Sequence, residues 1–130
     1  MKKKEKEVKR SNFSALALVL AAFVVASFFF MVFLDIPEVE IISFSGSLSA
    51  ESGNALEKAI AAAEDDKKVK AIVLQVNSGG GSATVAENIY LHLLHVKKKK
   101  PVVIAIADQA TSGAYYLSLA GNRIFVRPSS

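Results

Sequence analysis

Residues 101–116 read Pro101-Val-Val-Ile-Ala-Ile-Ala-Asp-Gln-Ala-Thr-Ser-Gly-Ala-Tyr-Tyr116. An apolar run behind a proline, closed by Thr-Ser-Gly and followed by an apolar pattern at helical spacing, predicts a short strand, a tight turn and a helix. Ser112 then lies past the carboxyl end of a buried parallel strand, where open α/β sheets place their ligands. Gly113 lets the backbone approach a substrate closely. The plainer alternative for a serine ahead of a helix is an N-cap, and the G-x-S-x-G elbow is not matched.

The preceding strand signal, Val69 to Val76, is a nearly continuous apolar run, which predicts a strand buried on both faces. It runs into Asn77-Ser-Gly-Gly-Gly-Ser-Ala-Thr84. Three glycines after a strand can turn backbone N–H groups toward a phosphate or an oxyanion. Neither G-x-G-x-x-G nor a P-loop is present. The alternative is a flexible strand-to-helix turn capped by Ser82 or Thr84. Val39 to Phe44 predicts the first strand, ended by Ser45-Gly46-Ser47, with Ser49 to Gly53 as a turn. Leu56, Ala59, Ile60 and Ala63 mark a first helix, and Val85, Ile89, Leu93 and Val96 a second. Ser112 to Ala120 is a third helix, and Arg123 to Arg127 begins a fourth strand. The alternation β-α-β-α-β-α-β implies an α/β fold with parallel βαβ units.

Phe13 to Leu34 is a stretch of 22 residues without a charge. As a helix it would be about 33 Å long, against a hydrocarbon core of about 30 Å. A cleavable signal peptide would have a shorter apolar region and a small-residue cleavage site; the run here ends Phe28-Phe-Phe-Met-Val-Phe-Leu34. Residues 13–34 are therefore read as an uncleaved transmembrane helix after a basic tail, residues 1–12. By the positive-inside rule the N-terminus is cytoplasmic and everything after Asp35 extracytoplasmic. Residues 35–38 form a linker, and 39–130 the α/β region. The 96 residues after Leu34 are few for covering both faces of a parallel sheet, so the domain is expected to be incomplete.

The net charge of +4 comes entirely from the first ten residues, and the remaining chain carries ten basic and ten acidic side chains. It has no basic footprint for nucleic acid. The chain has no cysteine, and no His/Asp/Glu cluster has metal spacing, so neither a metal nor a cofactor is expected.

A serine nucleophile needs a base. His92, His95 and Lys97 to Lys100 precede the strand that Ser112 follows, and six strand residues separate them by about 20 Å. Lys67, Lys68 and Lys70 are likewise at the wrong end of their strand. Lys58 lies inside the first helix, where exposure is the default. The histidines are read as helix-face residues, the lysine run as a solvated helix end, and Asp108, which could orient a base, rather as a cap of its turn. Tyr115 and Tyr116 are read as packing and hydrogen bonding at the sheet edge. The chain is expected to lack its own base.

The anchor, the Val69–Val76 strand with its glycine loop, and Pro101–Tyr116 together resemble the signal peptide peptidase (SppA, protease IV) family, membrane-anchored relatives of the ClpP serine proteases. The likeness covers most of the chain from Val39 to Ser130. In that family the glycine loop usually reads Asn-Ser-Pro-Gly-Gly and the nucleophile lies in Ala-Ser-Gly-Gly-Tyr-Tyr. Gly79 here replaces the proline, Thr111 the alanine and Ala114 the second glycine. The resemblance implies a ClpP/crotonase-like fold and a serine endopeptidase acting on cleaved signal peptides. Ser112 would be the nucleophile, the N–H groups of Gly80 and Gly113 the oxyanion hole, and Gly81, Ser82, Ala83 and Thr84 the bed of the extended peptide. The lysine of the family's Ser-Lys dyad comes well after the Pro-Ser-Ser segment, where this sequence ends. Peptide substrates, the lipid bilayer and copies of the chain itself are the partners implied. The rivals are a crotonase-type acyl-CoA protein and an inactive membrane-anchored binding protein.

Overall fold

The computed structural model describes residues 18–31 and 37–130. They divide into two units, one ending at Ile36 and the other covering Pro37–Ser130. In the first, residues 18–31 are helical (α1), with exposed Phe23, Phe28 and Met31. These fourteen residues rise about 21 Å. Among the described residues no helix is long and apolar enough to cross a membrane. The rest of the expected span, residues 13–17 and 32–34, lies outside the described residues, as does the basic tail.

The second unit runs β1 (Glu38–Leu48), α2 (Ala50–Asp65), β2 (Val69–Gly81), α3 (Ala83–Val96), β3 (Val102–Ala110), α4 (Gly113–Ser118) and β4 (Arg123–Val126). Every strand pairs in parallel with the next, so the sheet order follows the chain, β1-β2-β3-β4. With crossovers of one hand, that order lays successive helices side by side on one face. In agreement, α2 packs on β1 and α3, α3 on α4, and α4 on β2 and β3.

The register shows what holds the layers together. Ile42, Leu74 and Ile104 are aligned across three strands, and Phe44 with Val76 forms the next row. These side chains point at the helices and are buried against Leu56, Ile60, Ile89, Leu93 and Leu117. The expectation that β2 is buried on both faces does not hold. Ile72, Leu74 and Val76 are fully buried, whereas the alternating Ala71, Val73 and Gln75 are only half-buried. Side chains alternate across a strand, and a single helical layer covers one side.

Three local expectations are also corrected. Ser49 to Gly53 is not a free turn, because Ser49 opens α2 with a reciprocal capping box. Its hydroxyl accepts from the Ser52 N–H at 3.2 Å, and the Ser52 hydroxyl accepts from the Ser49 N–H at 2.9 Å. The first strand does not end at Ser45; it bulges at Gly46 and rejoins β2, pairing Ser47 with Gly80 and Leu48 with Gly81. The glycine run is therefore the paired end of β2. Glu38, placed in the linker by sequence, begins β1.

The lysines after α3 are not simply solvated. Lys100 Nζ donates to the carbonyls of Ala63 and Asp66 at 2.7 and 2.6 Å, tying off the negative end of α2. Lys99 Nζ donates to Glu64 Oε1 at 2.6 Å. The Nε2 atoms of His92 and His95 each lie 3.4 Å from the same carboxylate. The Lys99 ammonium, with help from His92 and against the cost of burial, holds the Glu64 carboxyl below its ordinary value near 4.5. A carboxylate with a lowered folded pKa stabilises the fold above its unfolded value and loses that contribution as pH falls through the folded one. Urea unfolding across pH should therefore show Glu64→Gln less stable than wild type at pH 7, and less sensitive to acidification below about 4.5.

Candidate active site

The carboxyl ends of β2 and β3 bring the two turns singled out in the sequence into contact. A Cβ placed on Gly80 would lie 2.8 Å from Ser112 Cβ, 2.8 Å from the Thr111 carbonyl oxygen and 2.9 Å from the Gly113 nitrogen. Gly80 has a φ of +97°, a region that L side chains seldom enter. The position thus excludes any other residue twice over. Thr111 fastens the two turns: its N–H donates to the Ser78 carbonyl at 3.1 Å and its hydroxyl to the Gly79 carbonyl at 3.0 Å.

Ser112 opens α4 but does not cap it. Its φ is +52° with ψ at −126°, and its side chain makes no capping hydrogen bond. Among the described residues it alone, glycine apart, has positive φ. That conformation costs on the order of 1–3 kcal/mol and persists only where surrounding structure imposes it. The hydroxyl is exposed, with no hydrogen-bond partner among the described residues. The N-cap alternative is therefore removed by geometry. A strained serine with an unspent hydroxyl is what remains.

The other predicted residues divide by what their polar groups are doing. The Gly113 N–H is in the first turn of α4, where no intrahelical acceptor exists. The Gly80 N–H donates to the buried Ser78 hydroxyl at 3.1 Å, so oxyanion duty would require that bond to be shared or released. Gly81, with φ of +151°, is pressed against the Leu48 backbone. Ser82 is the N-cap of α3, its hydroxyl accepting from the Val85 N–H at 3.5 Å. Ala83 and Thr84 are exposed on the first turn of α3.

Asp108 does not cap its turn; it is an exposed residue within β3. Tyr116 rests on Tyr90, ring centroids 4.7 Å apart, and Tyr115 is exposed. His92, His95 and Lys99 are committed to Glu64, and Lys100 to the end of α2, all at the amino end of the sheet. Among the described residues no group of histidine and acidic side chains could hold a metal.

A cavity of about 330 Å³ opens beside Ser112, with Ala83, Ala86, Glu87, Gly113 and Tyr116 in its walls. The sequence reading passed over Glu87 and gave Thr111 no role in the site. Glu87 carried a weak signal as the only Asp, Glu, Lys or Arg within α3, four residues after Ala83. Thr111 carried none beyond its place beside the serine.

The model of the Clp protease family matches residues 28–130. The chain belongs to the Clp protease family. Protease 4 of Salmonella typhi is 46% identical over 66 residues, covering 50% of this chain and 11% of that protein. The chloroplastic serine protease SPPA of Arabidopsis thaliana is 29% identical over 98 residues, 67% of this chain and 14% of the relative. The chain thus spans about a tenth to a seventh of the length of these two relatives. Among solved structures, a membrane-bound stomatin-specific protease, 1510-N, superposes with a TM-score of 0.62 at 22% identity, over 72% of this chain and 45% of the other. At that identity the likeness concerns the fold, and it agrees with the ClpP-like parallel sheet.

The contact at Gly80 can be tested without any activity. Gly80→Ala should lower the unfolding free energy of the purified chain by about 2–4 kcal/mol, since both φ and backbone contacts oppose it. Gly79→Ala, which meets nothing nearer than Thr111 Oγ1 at 4.0 Å, should stay within about 0.5 kcal/mol. Urea denaturation of both variants distinguishes the contact from a general intolerance of the loop.

Proposed function

We propose that this chain is the nucleophile-bearing part of a membrane-anchored serine endopeptidase of the SppA type, acting on signal peptide remnants. The single observation that carries the reading is Ser112: a strained, exposed serine whose hydroxyl caps nothing, held against Gly80 at the carboxyl edge of a parallel sheet. Family membership and the protease relatives support it.

In the proposed reaction Ser112 Oγ attacks the peptide carbonyl carbon while its proton passes to a general base. The negative oxygen that forms is held by the Gly113 N–H, joined by the Gly80 N–H once that group turns from Ser78 Oγ. Preorganised donors of this kind typically lower the barrier by about 3–4 kcal/mol. The C–N bond then breaks, the proton goes to the departing amine, and an ester to Ser112 remains. Water hydrolyses the ester with the base reversing its role. Gly81 to Thr84 lie alongside the extended peptide.

The base is a lysine supplied from chain beyond Ser130, completing a Ser-Lys dyad. A desolvated lysine is neutral enough to accept the proton. Residues 13–34 anchor the protein in the cell membrane, with the N-terminus cytoplasmic and the peptidase region outside, and the protein assembles with copies of itself. No metal or cofactor enters the reaction.

Two experiments test this. The purified 130-residue chain alone should show little or no peptide hydrolysis; Ser112-dependent turnover by it would remove the need for an external lysine. The protein carrying the chain together with its downstream α/β segment should be labelled by a serine-reactive fluorophosphonate, and Ser112→Ala should abolish labelling. Labelling that survives Ser112→Ala overturns the assignment.

A further inference from the structure

The cavity beside Ser112 has an uneven chemistry. Ala83, Ala86 and Gly113 present small apolar surfaces, and Tyr116, 40% exposed, adds an aromatic face backed by Tyr90. One charged side chain enters the wall, Glu87. It projects from α3 one turn beyond Ala83, and among the described residues it has no ion pair or hydrogen bond. At the far end of the sheet, by contrast, Lys99, His92 and His95 share Glu64.

We propose that this cavity is a side-chain subsite selecting lysine or arginine in the bound peptide, with Glu87 as the specificity-determining residue. The inference rests on the peptidase reading for its substrate, a peptide, and adds which side chain of that peptide the site takes.

The physical case is one of matching. A purely apolar side chain filling the cavity would strip water from an unpaired carboxylate, which is costly. An acidic side chain would be repelled. A lysine or arginine lays its methylene stem on the small apolar surface and carries its charge to the end. The cation then meets the Glu87 carboxylate, with the face of Tyr116 as a second attractive surface. Glu87 is an unsuitable neighbour for the general base, because a carboxylate would hold that amine in its charged form. Signal peptides offer such a residue, since a cationic segment directly precedes their apolar region. Glu87 is solvent-exposed, so the selectivity is modest, about three- to fivefold.

The test uses the 130-residue chain in detergent micelles and fluorescently labelled extended peptides that differ at one position. That position carries lysine, norleucine (a similar apolar stem without the charge) or glutamate, and affinity is read by anisotropy. The lysine peptide should bind about three- to fivefold tighter than the norleucine peptide, and the glutamate peptide more weakly than both. Added salt should shrink the difference. Glu87→Gln should level lysine and norleucine, and Glu87→Lys should favour glutamate. Equal affinities in the wild type, a lysine preference that survives Glu87→Gln, or no binding of any peptide would each overturn the subsite. Fluorophosphonate labelling reads the peptidase assignment separately. Ser112 labelling without a lysine preference removes the subsite alone. A lysine preference without labelling keeps the subsite and removes the peptidase.

Discussion

The contact on which the site depends is backbone against backbone: Gly80 at the end of β2 pressed on Thr111, Ser112 and Gly113 after β3. It exists because β2 and β3 are neighbours in a parallel sheet, so their carboxyl ends finish on the same edge. Antiparallel pairing would have sent the two turns to opposite ends. The glycine removes the side chain that would hold the turns apart, and the Thr111 hydrogen bonds fix them together. The φ of +52° at Ser112 is then imposed rather than chosen. Strain of a few kcal/mol at most is sustained by the buried rows Ile42–Leu74–Ile104 and Phe44–Val76 beneath it.

The sheet also separates tasks by direction. At its amino end, polar groups are consumed in holding helices: Lys100 on the last carbonyls of α2, and Lys99 with two histidines on Glu64. The Val102 N–H there finds the Asn122 side chain at 2.8 Å. At its carboxyl end, the Ser112 hydroxyl and the Glu87 carboxylate are left unspent. Groups engaged at the first end cannot also serve as a base at the second. Among the described residues every histidine and clustered lysine that could serve is on the stabilising side.

Much of this was legible in the sequence, for definable reasons. Apolar period and turn residues gave each helix and strand of the second unit its type, and the order of elements implied the parallel sheet. Periodicity was weakest where glycine and serine were dense. The run Gly79-Gly-Gly81 read as a turn because glycine favours turns, yet pairing with Ser47 and Leu48 across a bulge made it strand. The capping box at Ser49 was hidden because Ser52, rather than glutamate or glutamine, supplies its second half. The burial of β2 was overestimated because an apolar sequence cannot say how many layers cover it.

The site itself was legible only in part, and the divide falls between position and conformation. A strand followed by Thr-Ser-Gly placed Ser112 at the correct edge, but an N-cap serine and a nucleophile have the same local sequence. What argues against the cap is a torsion angle and an unused hydroxyl at Ser112, in a turn held against Gly79 and Gly80 more than thirty positions away. Glu87 illustrates the same limit. Its distance from Ser112 depends on α3 and α4 packing together, a tertiary fact that no local pattern encodes. Chemistry that depends on two chain segments meeting therefore has to be read from the edge where they meet, and here that edge holds a strained serine, a glycine that admits it and one unpaired carboxylate.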